Sequence, residues 1–433
     1  MNDRRHFLKN ILGGSMFLSL QAVPEFSKAE PFVSPFLEGQ AYDLDYHVCD
    51  EDLWRKVRGA YAVSKSTVNL NNGGVAPQPK IVLEAEKKFL AFINELPSMH
   101  LLRKLPKNRI FLKQKLADIA GCQADELAIM QNATEAIHTI VMGQEWQAGD
   151  EVVLSTQDYS TVKVGFEQLA RRKKIKLVWV QLPVPVEDDA TIIEAYCSKF
   201  SARTKMVLLT HLTNWTGQII PNDVLATICK KAASKNIFSL IDGAHAFAHI
   251  DFKVSALHCD AYATSLHKWM SAPIGMGFLY LRKDKIKQVW PLYPASEKDN
   301  FRIEKFENHG TTSLAKEEAT HYAIDFFHQI GIELKEARLR YLKNYWMKAL
   351  AQEEGIRFYT SSQDRYACAI GLFTVEGINF RKVAKSLESQ YNIHNTISVF
   401  DQISGVRISP NVYTRTKDLD NMLSAMQQII KDR

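Results

Sequence analysis

The sequence predicts an α/β protein with a large, doubly wound, mostly parallel sheet, followed by a smaller C-terminal α+β domain. Three observations carry this reading. Between about residues 75 and 282, short β-branched or apolar runs alternate with helix-length segments, which is how parallel strands joined by helical crossovers read. After about residue 311 the pattern changes to a long helical stretch and then to a shorter mixture of strand and helix. Finally, 433 residues with 46% hydrophobic and 24% charged content suit a globular chain of one or two domains, which excludes disordered and fibrous classes.

Taken in order, the strands are EVVLS from residue 151, KLVWVQL from 176, TKMVLLTHL from 204, IFSLID from 237 and GFLYLR from 277. Such runs suit a sheet covered by helices on both faces. A helical pattern spans residues 314–352, a strand is expected at CAIGLFTV (368–375), and helices are expected near 379–390 and 417–431. The large domain is accordingly placed at 45–310 and the small one at 311–433.

The first residues, MNDRRHFLKNILGGSMFLSLQAVPEFSKAE, pair Arg4 and Arg5 ahead of a short, mild apolar run and small-residue sites, the pattern of an export signal over residues 1–29. The paired arginines resemble the twin-arginine type, which implies transport in the folded state to the periplasm and a cofactor inserted beforehand. The apolar run falls short of the roughly 20 residues that span a bilayer. An uncleaved segment on a cytoplasmic or inner-membrane enzyme is the alternative.

Several chemistries find no support. The net charge of +6 is modest, and RRKKIK at 171–176 is the one dense basic cluster, with no aromatic-interleaved stripe beside it, so nucleic-acid binding is not expected. Six widely spaced cysteines form no C-x-x-C, and the glycine-rich dinucleotide and P-loop signatures are absent. His245 and His249 stand four apart but lack a carboxylate partner and a third ligand, so no metal is expected.

In α/β proteins, sites form at the ends of parallel strands. Reading those ends in order, QNATEAIHTIVMG opens a helix at Ala133 and Thr134, where N–H groups, the helix dipole and a hydroxyl suit a phosphate; Asn132 or Thr134 could equally serve as a plain cap. STQDYST delivers Tyr159, a flat ring. LTHLTNWTGQIIP delivers Asn214. SLIDGAHAFAHIDF places Asp242 after an apolar run, where a buried carboxylate needs a cationic partner such as a protonated heterocyclic nitrogen. CDAYATSLHKWMSAPIGMGFLYLR sets Lys268 in a partly apolar setting that is costly for an amine unless it is used or paired.

In this order the parts resemble those of a fold-type I pyridoxal phosphate enzyme of the class V aminotransferase family, with a flavour of isopenicillin N epimerase-like members. SLHKW followed by the AP-I-G-M-GFLYLR pattern is the most specific stretch, and the likeness covers about residues 45–430. The resemblance implies pyridoxal 5'-phosphate as cofactor, Lys268 as its Schiff-base lysine, Asp242 at its ring nitrogen and His245 at its ring oxygen. It also implies phosphate contacts from Thr134, Ser265 and His267, a stacking role for Tyr159, and a homodimer in which Thr311 and Thr312 reach the partner's phosphate. Arg407 would take the α-carboxylate of an amino-acid-like substrate, with Asn72 and Gly73 lining the pocket. Epimerisation, transamination and elimination stay open. Desulfuration is disfavoured, because QYNIHNTISVFDQISGVRIS carries no cysteine ahead of Arg407. A non-catalytic binding protein on the same scaffold is the rival from another class, and intact Lys268, Asp242 and Arg407 argue against it.

Overall fold

A computed structural model describes residues 44–432. The predicted signal segment, with Arg4 and Arg5, lies outside the described residues. Thirteen strands are described: β1 (Val68–Asn69), β2 (Leu127–Met130), β3 (Glu151–Ser155), β4 (Lys176–Val180), β5 (Thr204–Thr210), β6 (Phe238–Asp242), β7 (Ala261–Ser265), β8 (Gly277–Leu281), β9 (Ile356–Phe358), β10 (Gly371–Val375), β11 (Ile393–His394), β12 (Thr396–Phe400) and β13 (Ile403–Ile408).

The large sheet has seven strands in the order β2-β8-β7-β6-β5-β3-β4. Successive side chains point to opposite faces, and each face has its own helix-covered core. Val153, Val207, Leu209 and Ile241 fall in one buried cluster, while Val152, Leu154, Met206, Leu208 and Leu240 fall in the other. This double cover is why the strands read as apolar runs.

One predicted parallel strand runs the other way: β8 pairs antiparallel with both β2 and β7. Only residues 266–276 join β7 to β8, which leaves no room for a helix among the roughly dozen or more residues a parallel crossover needs. That short loop is the one carrying Lys268. Two strands in the sheet, β2 and β7, were not anticipated; both are short, and AYATS lacks the β-branched density that marks its neighbours.

The 314–352 pattern proves to be two helices, Ala315–Ile330 and Ile332–Leu350, separated by Gly331 at φ +80°. Glycine tolerates that left-sided backbone where other residues are strained. The first of these helices buries Ala319, Ala323, Ile324 and Phe327 in the same cluster as the large sheet. Leu342, Trp346, Phe373, Val406 and Met422 join a separate core under the antiparallel sheet β12-β13-β10-β9, while Tyr366, Cys368, Ile370 and Val412 stay in the first. Residues 68–70 contribute to that second core too, through Leu70 and the parallel pairing of β1 with β11.

Candidate active site

A cavity of about 380 Å³ opens at the carboxyl ends of β3, β5, β6 and β7, four adjacent strands. Of the residues singled out in the sequence, Gly73, Ala133, Thr134, Tyr159, Asn214, Asp242, His245, Ser265, His267, Lys268 and Arg407 all line it.

One wall is the first turn of helix Ala133–Gly143. Asn132 caps it, its Oδ1 accepting from the Glu135 N–H at 2.9 Å, and Ser265 Oγ at the end of β7 accepts from the Ala133 N–H at 2.9 Å. The capping alternative therefore holds for Asn132, while Thr134 faces the cavity beside it. The turn can approach β8 this closely because residue 277 is glycine: a Cβ there would stand 2.5 Å from the Thr264 carbonyl and 2.8 Å from Asn132 Cα.

The opposite wall holds the titratable groups. Asp242 ends β6, is buried, and accepts from the Ala244 N–H at 3.0 Å; burial pushes its carboxyl up, against the opposing pull of that bond and of Lys268. Lys268 Nζ lies 2.9 Å from His245 Nε2. Burial pushes the Lys268 amine down to about 8, with Asp242 pulling the other way and Arg407 reinforcing the drop. Burial, then Lys268 and Arg407, push His245 well below its ordinary value, so the proton between them belongs to Lys268 and the imidazole is the acceptor. Burial likewise brings His267 down to about 4.

Arg407, on β13, closes the cavity from the small domain. It is buried, and its Nη1 donates to the Asn214 carbonyl at 2.6 Å and its Nη2 to Asn71 Oδ1 at 2.9 Å; burial brings the guanidinium down to about 10.

Three buried nitrogens on the cavity wall have no hydrogen-bond partner: His245 Nδ1, His267 Nδ1 and Arg407 Nε. Orphans of this kind are costly and rare, and their clustering on one cavity is what a polar ligand would relieve. The residues fit pyridoxal 5'-phosphate, with a helix start and Ser265 for its phosphate, Asp242 for a cationic ring and an amine for its aldehyde.

Some expected residues lie elsewhere. Asn72 is fully buried beneath the cavity, its amide donating to the Asn69 and Ser409 carbonyls and its oxygen accepting from Asn69 and the Tyr413 hydroxyl. It is Asn71 that meets Arg407, because Asn72 is committed to bracing the loop. Thr311 is exposed, and Thr312 sits beside Gly275 and His309, outside this cavity. His249 binds the His245 carbonyl through Nδ1 at 2.7 Å, accepts from the Ala369 N–H through Nε2 at 3.0 Å and stacks on Trp269, so both of its ring nitrogens are engaged. Among the described residues no group of three His, Cys, Asp or Glu is placed to hold a metal.

Three site residues went unread in the sequence: Asn71, Thr210 and Asp158. Nothing local distinguishes Asn71 from its neighbours in NLNNGG. Asp158 precedes Tyr159 in STQDYST, and its partner Thr210 is 52 positions away, so no spacing rule reveals the pair.

The comparisons agree with this geometry. Among curated proteins the chain is 27% identical to isopenicillin N epimerase of Streptomyces clavuligerus, over 87% of this chain and 98% of that one. It is 25% identical to a probable cysteine desulfurase of Synechocystis, over 84% and 91%. Among solved structures, a C-DES mutant with glycine covalently linked to its PLP cofactor superposes with a TM-score of 0.75 at 20% identity, covering 85% of this chain and 98% of that one. The family model for aminotransferase class-V matches residues 68–422. The chain belongs to the class-V aminotransferase family of fold-type I enzymes, whose cofactor is pyridoxal 5'-phosphate.

Proposed function

We propose that the enzyme acts at Cα of an amino-acid-like substrate, and that it does so as an epimerase, aminotransferase or lyase. When bound, pyridoxal phosphate supplies an electron sink for negative charge at Cα. The chain's own residues supply the rest. Lys268, with its amine lowered toward neutrality, can hold the cofactor and then take or return the Cα proton. His245 Nε2 accepts a hydrogen bond from the Lys268 amine and so orients it. Asp242 supplies the negative charge that a cationic ring needs in a buried place. Arg407 keeps its Nε–H free, and with the remaining Nη2–H that leaves one edge of its fork for a substrate carboxylate.

The single observation that carries the reading is Lys268 Nζ at 2.9 Å from His245, in one cavity with Asp242 and Arg407. Its test is the visible spectrum. The purified protein should be yellow, and borohydride should bleach it and leave the adduct on Lys268. A colourless protein that fails to take up added pyridoxal phosphate would favour the non-catalytic rival.

We propose, further, that desulfuration is disfavoured, a reading supported by where the cysteines lie. Cys368 is fully buried and does not line the cavity, burial pushes its thiol up to about 12, and no cysteine occurs in β12 or β13 ahead of Arg407. Sulfide release from cysteine at rates matching other turnover would overturn this.

Two further readings belong here. A homodimer, with Thr311 and Thr312 at the partner's phosphate, is consistent with the exposure of Thr311 outside the cavity of its own chain; light scattering at monomer mass would refute it. Periplasmic export through the twin-arginine route is supported by Arg4-Arg5 ahead of a mild apolar run. Replacing both arginines by lysine should retain the protein, with cofactor bound, in the cytoplasm.

A further inference from the structure

Behind the cofactor wall lies a second carboxylate that the proposed chemistry does not use. Asp158 is 0% exposed, and among the described residues it makes no ion pair, Lys163 being the one opposite charge that acts on it. A buried carboxylate in that state is expensive, so its bonds repay inspection. Its Oδ2 accepts from the Ser155 N–H at 2.7 Å, which turns the chain at the end of β3 and brings Tyr159 out at the cavity mouth. Its Oδ1 accepts from the Thr210 hydroxyl at 2.6 Å, the length of a charge-assisted bond. Thr210 ends β5, lines the cavity, and pairs in register with Asp242 at the end of β6.

The charged surroundings of Asp158 come from three elements. Asp242 on β6 is a like charge. Tyr196, on helix Asp189–Cys197, is a buried phenol pushed up first by burial and then by Asp158. Lys163, on helix Ser160–Lys173, is the nearest opposite charge, but its Nζ donates to the Thr156 carbonyl at 2.6 Å. Asp158 therefore has no cation of its own until one binds against Asp242.

We propose that Asp158 is a positioning residue for the cofactor: it fixes Tyr159 and Thr210 on the cavity wall, and its charge adds to that of Asp242 in holding a cationic ring. Burial pushes its carboxyl up to about 7, with the Thr210 and Ser155 bonds pulling down and Asp242 pushing up. A cation at Asp242 favours the ionised form, so binding expels a proton from Asp158. Cofactor affinity then rises with pH up to about 7 and levels off above it.

The inference rests on the cavity being the cofactor's, and one titration tests both. Pyridoxal 5'-phosphate is added to cofactor-free protein, parent and Asp158→Asn, between about pH 6 and pH 9. The ratio of the two dissociation constants cancels the cofactor's own titration. Asp158→Asn should bind about tenfold more weakly at the upper end, with the ratio shrinking toward the acid end, where the parent carboxyl is neutral too. A ratio near one throughout overturns the role of Asp158 and leaves the site intact, whereas a parent that fails to bind overturns both. A merely structural brace would give a ratio independent of pH, which also refutes the proposal. Should Asp158→Asn fail to fold, Thr210→Val removes the same bond and Thr210→Ser restores it: weakening by valine with recovery by serine is expected, and no difference between the two is the contrary result.

Discussion

Two charged regions of the molecule differ in how far their bonding capacity is met. A cleft of about 810 Å³ between helix Arg109–Ala120 and residues 295–308 is roughly twice the volume of the cavity at Lys268 and at least as rich in charge. In the cleft the charges of Arg109, Lys113, Glu304 and Glu307 are matched. Arg109 meets Glu317 at 2.7 Å and Glu307 at 3.6 Å, and Lys113 meets Glu304 at 3.0 Å and Glu307 at 3.4 Å, while Glu307 also accepts from the Ile129 N–H. Those groups are spent on holding distant segments together. In the smaller cavity the two bases Lys268 and His245 face each other, and three buried nitrogens have no partner. Function follows unmet bonding capacity here, and volume is a poor guide.

The comparison is broken most severely by removing the amine. Lys268→Ala should lower turnover by about 10²–10⁴-fold, because proton transfer at Cα loses its base, while the fold persists. Exchange of the Cα hydrogen into deuterated water, followed by NMR with amino acids the parent accepts, measures it; near-parent exchange would remove Lys268 from the mechanism. Next in size, Arg407→Lys should cost about 10–100-fold in kcat/KM, since an ammonium cannot reproduce the planar fork against a carboxylate. Parent-like kinetics would place the carboxylate elsewhere.

In the matched cleft the expectation is reversed. Arg109→Ala should lower stability by about 1–3 kcal/mol, read by denaturant unfolding, because Glu317 and Glu307 lose a buried partner, yet kcat should stay within about twofold. A large kcat loss without destabilisation would show that the cleft takes part in the chemistry.

The finest test turns on pH. A lysine whose amine is pushed down to about 8 binds its proton more weakly in the folded than in the unfolded chain, so it costs the fold stability below that pH and regains it as pH rises toward 10.5. Cofactor-free Lys268→Met should therefore melt about 1–3 °C above the parent at pH 7, with the gap closing in alkali. A gap that stays constant with pH would mean that packing, and not the buried charge, sets it.

Much of the site was legible because its parts are local. Asp242 and His245 stand three apart at the end of an apolar strand, Ser265, His267 and Lys268 follow the next strand, and Thr134 opens a helix; each needs only its own neighbours in the chain to be recognised. Periodicity also gave β3, β4, β5, β6, β8 and β10 and the final helix, found at Thr416–Lys431. Other features depended on distances that chain order does not encode. The direction of β8 followed from how short its connection is in space, and Gly331 split a helical pattern that periodicity alone would continue. Asn71 reached Arg407 across 336 positions while its neighbour Asn72 was consumed as a brace, and Asp158 found Thr210 across 52. Which of Lys268 and His245 holds the proton was likewise decided by a separation of 2.9 Å and by burial. By itself the sequence determined the residue types and the strand ends that deliver them, because propensity and amphipathic period act between near neighbours. Tertiary structure alone decided pairing, orphaned bonds and protonation, because hydrogen bonds and desolvation depend on separation and burial in space.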